Sequence, residues 1–251
     1  MMIAKPMSSA QRSVYGRAVL SGCRRSHPDT SIFASIHRYD SFALWPAHGR
    51  RAGRMSQSES LATLLAEVRA CSACADALPL GPRPILQMST SATILVASQA
   101  PGSRAHLTGV PFSDASGDRL RNWMGLTDEQ FYDETTIAIV PMGFCYPGRS
   151  GGGDAPPRKE CAQLWRGRLM ELLPEVRLTL LVGSYAQHHL LGPGPTTERV
   201  RNFRDYLPGF FPLPHPSWRS RIWEERNPWF RQEVIPALRS AVAEARGRCR
   251  V

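Results

Sequence analysis

Four short apolar runs, separated by turn-rich and helix-period segments, constrain the fold more than any other feature of this chain. They occupy residues 93–97, 136–140, 178–182 and 210–213. A continuous apolar run of this length, bounded by turns, suits a strand buried on both faces of a parallel sheet. Helical spacing falls between and around them. Leu61, Leu64, Leu65 and Val68 follow Ser56-Gln57-Ser58-Glu59, which offers an N-cap and an acidic first turn. Leu120, Trp123 and Met124 mark a helix over 118–126. Leu164, Trp165, Leu169 and Leu172 mark another over 160–173, and 185–191 forms a third. Asn227-Pro228 opens a last helix running toward Arg246, with Pro in its first turn. Alternation of this kind predicts an α/β fold, a three-layer α/β/α sandwich around a mainly four-stranded parallel sheet. Ligands in such folds bind beyond the carboxyl ends of the strands. Three strands end in distinctive segments, 99–102, 143–153 and 215–217, which are expected to converge. No internal repeat is visible.

Composition narrows the class. At 251 residues and 42% apolar content the chain can bury a sizeable core, and collagen-like and wholly disordered classes are excluded. No run approaches 18 apolar residues, so no membrane partner is expected. Six cysteines are too few for a disulfide-stapled scaffold of this length. The net charge of +10 is unevenly placed. Residues 1–54 hold nine basic and two acidic residues, a net of +7, which leaves +3 for the rest. That segment lacks periodicity. It reads as a disordered basic tail, as an Arg- and Ser-rich transit segment, or as sequence upstream of a start at Met55. It has no compact apolar stretch followed by a cleavage site, so the protein is expected in the cytoplasm rather than secreted. The predicted division is a tail over 1–54 and one domain over 55–251.

The order of three motifs carries a resemblance. A strand runs into Gln99-Ala100-Pro101-Gly102. Thr108-Gly109-Val110-Pro111-Phe112-Ser113-Asp114-Ala115-Ser116-Gly117 follows, and His215-Pro216-Ser217 lies near the end. The arrangement resembles the uracil-DNA glycosylase superfamily over roughly 61–238. The resemblance implies that the first loop positions an attacking water, that Phe112 stacks on a flipped base, and that His215 holds the base's O2 as charge develops there. Such chemistry needs these residue types. A base inside a duplex must be flipped out and held by stacking and edge hydrogen bonds. Breaking its N-glycosidic bond creates an anionic base and a cationic sugar, both of which need stabilisation. Taken singly, Phe112 also suits core packing and His215 a structural imidazole.

Two departures from the family pattern shape the expected site. Relatives with iron-sulfur clusters often carry Gly-Glu-Ala-Pro-Gly in the first loop, where this chain has Ser98-Gln99-Ala100-Pro101-Gly102. Gln99 cannot act as a base, and can only orient water or read the base. Another branch places its catalytic Asp in Phe-Thr-Gly-Asp-x-Ser-Gly. The stretch 112–117 is similar though one residue shorter, which makes Asp114 the preferred carboxylate, with an N-cap as its alternative role. Asp118 reads as a first-turn helix acid. Many relatives also place an Asn after the second strand to pair with uracil. Here Pro141-Met142-Gly143-Phe144 holds none. Base reading then falls to backbone groups at Met142 and Gly143 or to the Gln99 amide, and other deaminated or oxidised bases become plausible substrates.

The cysteines extend the resemblance. Cys71 and Cys74 form a CxxC before the first strand, and Cys145 and Cys161 follow the second. This is similar to the ligand set of the iron-sulfur uracil-DNA glycosylases and implies a structural [4Fe-4S] cluster. A four-cysteine zinc site is the chemical alternative. Cys23 and Cys249 receive no role. After His215, the resemblance implies a loop that enters the DNA groove. Ser217 and Trp218 would fill the space of the flipped base, and Arg219 and Arg221 would contact phosphates. The implied function is base-excision repair by a monomeric, monofunctional glycosylase. It would act on uracil in single- or double-stranded DNA at the nucleoid and leave an abasic site. The alternative is a uracil-DNA-binding protein of the same fold with little turnover. A metal-binding α/β protein unrelated to DNA is a third reading.

Overall fold

The computed structural model of the protein describes residues 60–247. The tail over 1–54, the start at Met55, the Ser56–Glu59 cap, Cys23 and Cys249 lie outside the described residues. Helix α1 (Leu61–Arg69) is capped by Ser60, whose Oγ accepts from the Thr63 amide at 3.2 Å. The cap lies four residues later than the sequence pattern suggests, because Ser60 immediately precedes the periodic run and meets an orphan amide directly.

Four strands form the main sheet: β1 (Ile94–Ala97), β2 (Ile137–Ile139), β5 (Leu178–Val182) and β6 (Phe210–Leu213). Their order is β2-β1-β5-β6 and all pairs are parallel, with Val96 opposite both Ile139 and Leu180. β6 is an edge strand, which lets it carry Pro212 without losing an inner ladder bond. A two-residue hairpin, β3 (Arg149–Ser150) and β4 (Gly153–Asp154), stands apart from the sheet.

Alternation along the strands divides the core in two. Ile94 and Val96, Ile137 and Ile139, and Leu178, Leu180 and Val182 face one side, with Leu120, Trp123, Phe230 and Leu238. Leu95, Ala138 and Val140 face the other, with Leu64, Val68 and Leu169. The first face is covered by α3 (Ala115–Met124), α4 (Asp128–Phe131), α8 (Thr196–Arg201) and α10 (Ile235–Gly247). The second is covered by α1 and by α5 (Lys159–Cys161), which continues through a π-helical segment (Ala162–Arg166) into α6 (Gly167–Glu171). Helix α7 (Ser184–Leu191) packs against β5. The three-layer α/β/α sandwich around a four-stranded parallel sheet is therefore the fold. Among the described residues, no helix is long and apolar enough to cross a membrane.

Several elements differ from expectation. Helix α3 starts at Ala115, three residues early, because Asp114 caps it. The stretch after 160 is helical but carries a π segment. Helices α2 (Ser103–Thr108), α4, α8 and α9 (Ser220–Arg226) and the hairpin were not apparent in the apolar periodicity, being short or polar. β1 leads outward to β2 on one side and β5 leads to β6 on the other. The crevice between the carboxyl ends of β1 and β5 is thus the topological switch point.

Candidate active site

The first loop leaves β1 at Ser98 and is tied to the loop after β2. The Met142 amide donates to the Ser98 carbonyl at 2.8 Å, and the Gly143 amide to the Gln99 carbonyl at 3.0 Å. Both amides are thereby spent. Met142 is buried with Ala97, Leu181 and Ala186. A Cβ on Gly143 would stand 3.0 Å from Pro157 and 3.1 Å from the Arg158 nitrogen. Neither residue offers an N–H for base reading, and only their carbonyls could do so. The Gln99 side chain is engaged as well, since its Nε2 donates to the Ala155 carbonyl at 2.9 Å.

Helix α2 ends at Gly109 in the left-handed region and delivers Phe112, the only non-glycine residue of positive φ (54°) among the described residues. A bulky side chain in this conformation is strained unless its surroundings hold it. Arg121 and Tyr132 do so. The guanidinium and the phenol each donate to the Phe112 carbonyl at 3.1 Å. Arg121 is itself buried, held by Asp118 and Asp128. Gly117 completes the arrangement, because a Cβ there would lie 1.7 Å from the Phe112 carbonyl oxygen. The half-buried Phe112 ring meets Phe131 edge-on at 6.1 Å, so it rests on the core two residues before the Asp114 cap.

Asp114 is the N-cap of α3. Its Oδ1 accepts from the amides of Ser116 (3.1 Å) and Gly117 (3.0 Å). The other oxygen, Oδ2, stands 3.6 Å from the position a Cβ on Gly102 would take, and Oδ2 of Asp154 stands 3.6 Å from the same point. Across the crevice, His215 follows β6. Its Cβ would approach a Cβ on Gly183 to 3.2 Å, so the bare, positive-φ glycine at the end of β5 lets the imidazole settle over the switch point. Ser220 donates its hydroxyl to the His215 carbonyl and fixes the backbone there. Burial pushes the His215 imidazole below its usual range, while the charges of Asp114 and Asp154 pull it back upward. The balance favours a neutral ring at pH 7, the form that can donate one N–H without carrying charge. Burial raises the Asp154 carboxyl, opposed by His215 and Arg149 and reinforced by Asp114.

The segment after His215 is only partly a loop. Trp218 is 70% exposed, and Arg219 lies over its ring at 5.4 Å. Arg219 also donates to the Gly152 carbonyl at 2.9 Å, so it braces the hairpin as well as facing solvent. Ser217 accepts from Arg119 at 3.1 Å. Arg221 is exposed on α9.

The four cysteines line one cavity of about 310 Å³, open mouth included, together with Leu78, Phe144 and Trp165. None is in a disulfide. Four donors point at the sulfurs, one for each: Trp165 Nε1 to Cys71 at 3.3 Å, the Phe144 amide to Cys161 at 3.4 Å, the Arg158 side chain to Cys74 and the Arg83 backbone amide to Cys145. Burial pushes the thiols of Cys74, Cys145 and Cys161 up, that of Cys161 to about 11. Among the described residues, no three His, Cys, Asp or Glu side chains are gathered tightly enough to hold one metal ion. Four thiols around one cavity are the donor type that an iron-sulfur cluster takes, and also the type that a structural zinc takes.

The family model of the Uracil DNA glycosylase superfamily matches residues 87–239, well over half of the chain. The chain belongs to this superfamily. A solution NMR structure of a candidate uracil DNA glycosylase from Methanosarcina acetivorans is similar at 15% identity, over 63% of this chain and 98% of that one, with a TM-score of 0.36. The matched stretch holds Gln99, Phe112, Asp114 and His215, and it also holds Asp154, which the sequence pattern did not single out. Its only signal was position, an acid inside a glycine-rich loop after β2. Gly183 and Arg121 were missed for a similar reason. Their roles are set by what they touch across the fold, not by neighbours in the chain.

Proposed function

We propose that the protein is a monofunctional DNA glycosylase that hydrolyses the N-glycosidic bond of uracil in DNA and leaves an abasic site. The observation that carries this reading is the meeting of a neutral His215 and two carboxylates at the switch point, beside the constrained Phe112. A base flipped into the crevice would stack on the Phe112 ring. His215 would donate to O2 as negative charge moves onto the base. Asp114, the N-cap carboxylate of α3 beside Gly102, suits stabilisation of the sugar cation. The carbonyls at Met142 and Gly143 would accept from the base's N3–H and discriminate uracil, with other deaminated bases as secondary substrates. Trp218 would occupy the gap left in the duplex, while Arg219 and Arg221 would face phosphates.

Cys71, Cys74, Cys145 and Cys161 would hold a [4Fe-4S] cluster that clamps the end of α1 to the segments following β2. When bound, the cluster supplies structural cross-linking rather than electron transfer. Lys159, the only lysine among the described residues, is exposed at the start of α5, which argues against a lysine Schiff base and a coupled lyase step. The test uses duplex and single-stranded oligonucleotides carrying one uracil, hypoxanthine or mispaired thymine. After incubation and alkali, strand scission at uracil is the expected result. Intact strands in every lane would defeat the reading, and a shifted but uncut uracil strand would favour a binding protein instead.

A further inference from the structure

We propose that Asp154 is the carboxylate that takes the proton from the attacking water, and that the bare α-carbon of Gly102 leaves room for that water. The inference rests on the glycosylase reading and assigns a base to it. Asp154 lies on β4, opposite Arg149 in the hairpin register. Three contacts outside the pair itself hold this hairpin in place. The Gln99 amide donates to Ala155 at 2.9 Å, Arg219 to Gly152 at 2.9 Å, and the Ala155 amide to Gly148 at 2.8 Å. Gln99 thus has a structural reason to be an amide. It is a strut that brings in a carboxylate from another loop, not a failed base.

The two carboxylates differ in ways that separate their roles. Asp114 gives one oxygen to two helix amides as the N-cap of α3, so that oxygen is already engaged. Among the described residues, no hydrogen bond is donated to the Asp154 carboxylate; the residue is exposed over much of its surface, yet its carboxyl faces the crevice side closely enough to be partly desolvated. Their Oδ2 atoms share one neighbour, the space above Gly102, at 3.6 Å each. A water in that space could touch both. As its oxygen bonds to the sugar C1′, one proton would pass to Asp154. The N-glycosidic electron pair would leave on the base, whose anion His215 holds until it is protonated. The net change is one water consumed, one free base released and one abasic sugar left.

The groups surrounding Asp154 are Arg149 across the hairpin, Asp114 at the α3 cap, His215 after β6 and Tyr146 after β2, with Arg219 against Gly152 and Gly153. Burial raises the Asp154 carboxyl above its ordinary 3.8, so its basic form is lost as pH falls through that raised value. Burial shifts His215 the other way, below its usual range, against the pull of Asp114 and Asp154.

Single-turnover excision from a uracil-containing duplex, measured from pH 8 to pH 4 on the full chain, tests the assignment. Asp154→Asn should slow excision about 100-fold or more, as loss of a general base does, and should remove the acid limb of the profile. Asp114→Asn should slow the reaction but keep the limb. Gly102→Ala adds a methyl at ordinary contact distance in an extended backbone (φ −78°) and should slow excision at least tenfold with unchanged unfolding temperature. Wild-type protein that leaves uracil in place overturns the glycosylase reading and this one together. Active wild type with an Asp154→Asn variant within a few-fold, or with its acid limb intact, overturns the Asp154 assignment alone.

Discussion

His215 and Phe112 would act on the same base in different ways, and substitution separates them. Removing one preorganised donor to a developing anion costs about 100- to 1,000-fold in rate. His215→Ala should therefore slow single-turnover excision by that order and leave affinity for uracil DNA nearly unchanged. Phe112→Ala should weaken capture of the flipped base by about 1–3 kcal/mol, read as a higher Kd for a uracil duplex with the Kd for an abasic duplex little changed. Asp114 has a capping duty that must be separated from chemistry. Asn caps helices as well as Asp, whereas Ala loses about 1 kcal/mol. Asp114→Asn should keep the unfolding midpoint in urea and lose activity, while Asp114→Ala should lose both. Among single residues, His215, Phe112 and Asp114 stood out in the sequence because each sits inside a recognisable motif, and the roles proposed for them rest on that motif order. The sequence was silent on Asp154, because a hairpin of glycines and one acid carries no periodicity. Gln99 was legible as a departure from the pattern, but its partner at Ala155 lies 56 residues away and only the fold brings it near.

The strands were the most legible elements, because β1, β2 and β5 are buried at every position and read as unbroken apolar runs. Helix starts were less so, since caps compete: Ser60 and Asp114 displaced the expected boundaries by satisfying amides nearer the apolar face. The turn between Pro111 and α3 shows how an element is set from outside. Phe112 keeps a left-handed backbone because Arg121, Tyr132 and the missing Cβ of Gly117 all converge on its carbonyl. Gly117→Ala cannot be accommodated by a side-chain shift, as the clash is with backbone. It should destabilise the protein by about 1–3 kcal/mol, the usual range for overpacking, and unfolding in urea would register the change. Excision should fall with it, because Phe112 leaves its place at the crevice. A midpoint equal to wild type would show that the turn is not held as described.

For the whole molecule, the parallel sheet provides the crevice, and the four cysteines line a cavity beside the layer that carries α1, α5 and α6, which the proposed cluster would clamp. Protein purified without oxygen should be brown, with about four iron atoms per chain, as the proposed cubane requires. Cys145→Ser should lower iron content and the unfolding temperature and leave base preference unaltered. A colourless protein with one zinc per chain would contradict the cluster. Charge belongs to this scale too. Residues 1–54 carry +7 of the +10 net charge. Deleting them should reduce the salt dependence of binding to undamaged DNA, measured as the slope of log K against log salt, and leave excision intact. Cleavage of a glycosidic bond in this crevice is read most plainly as release of free uracil from a duplex carrying one labelled uracil, with enzyme in excess. Stoichiometric uracil and an alkali-labile abasic site should appear at the same rate, and both should be abolished together in the His215→Ala, Asp154→Asn double variant. Tight binding of the duplex with the label still in the DNA would contradict the glycosylase reading.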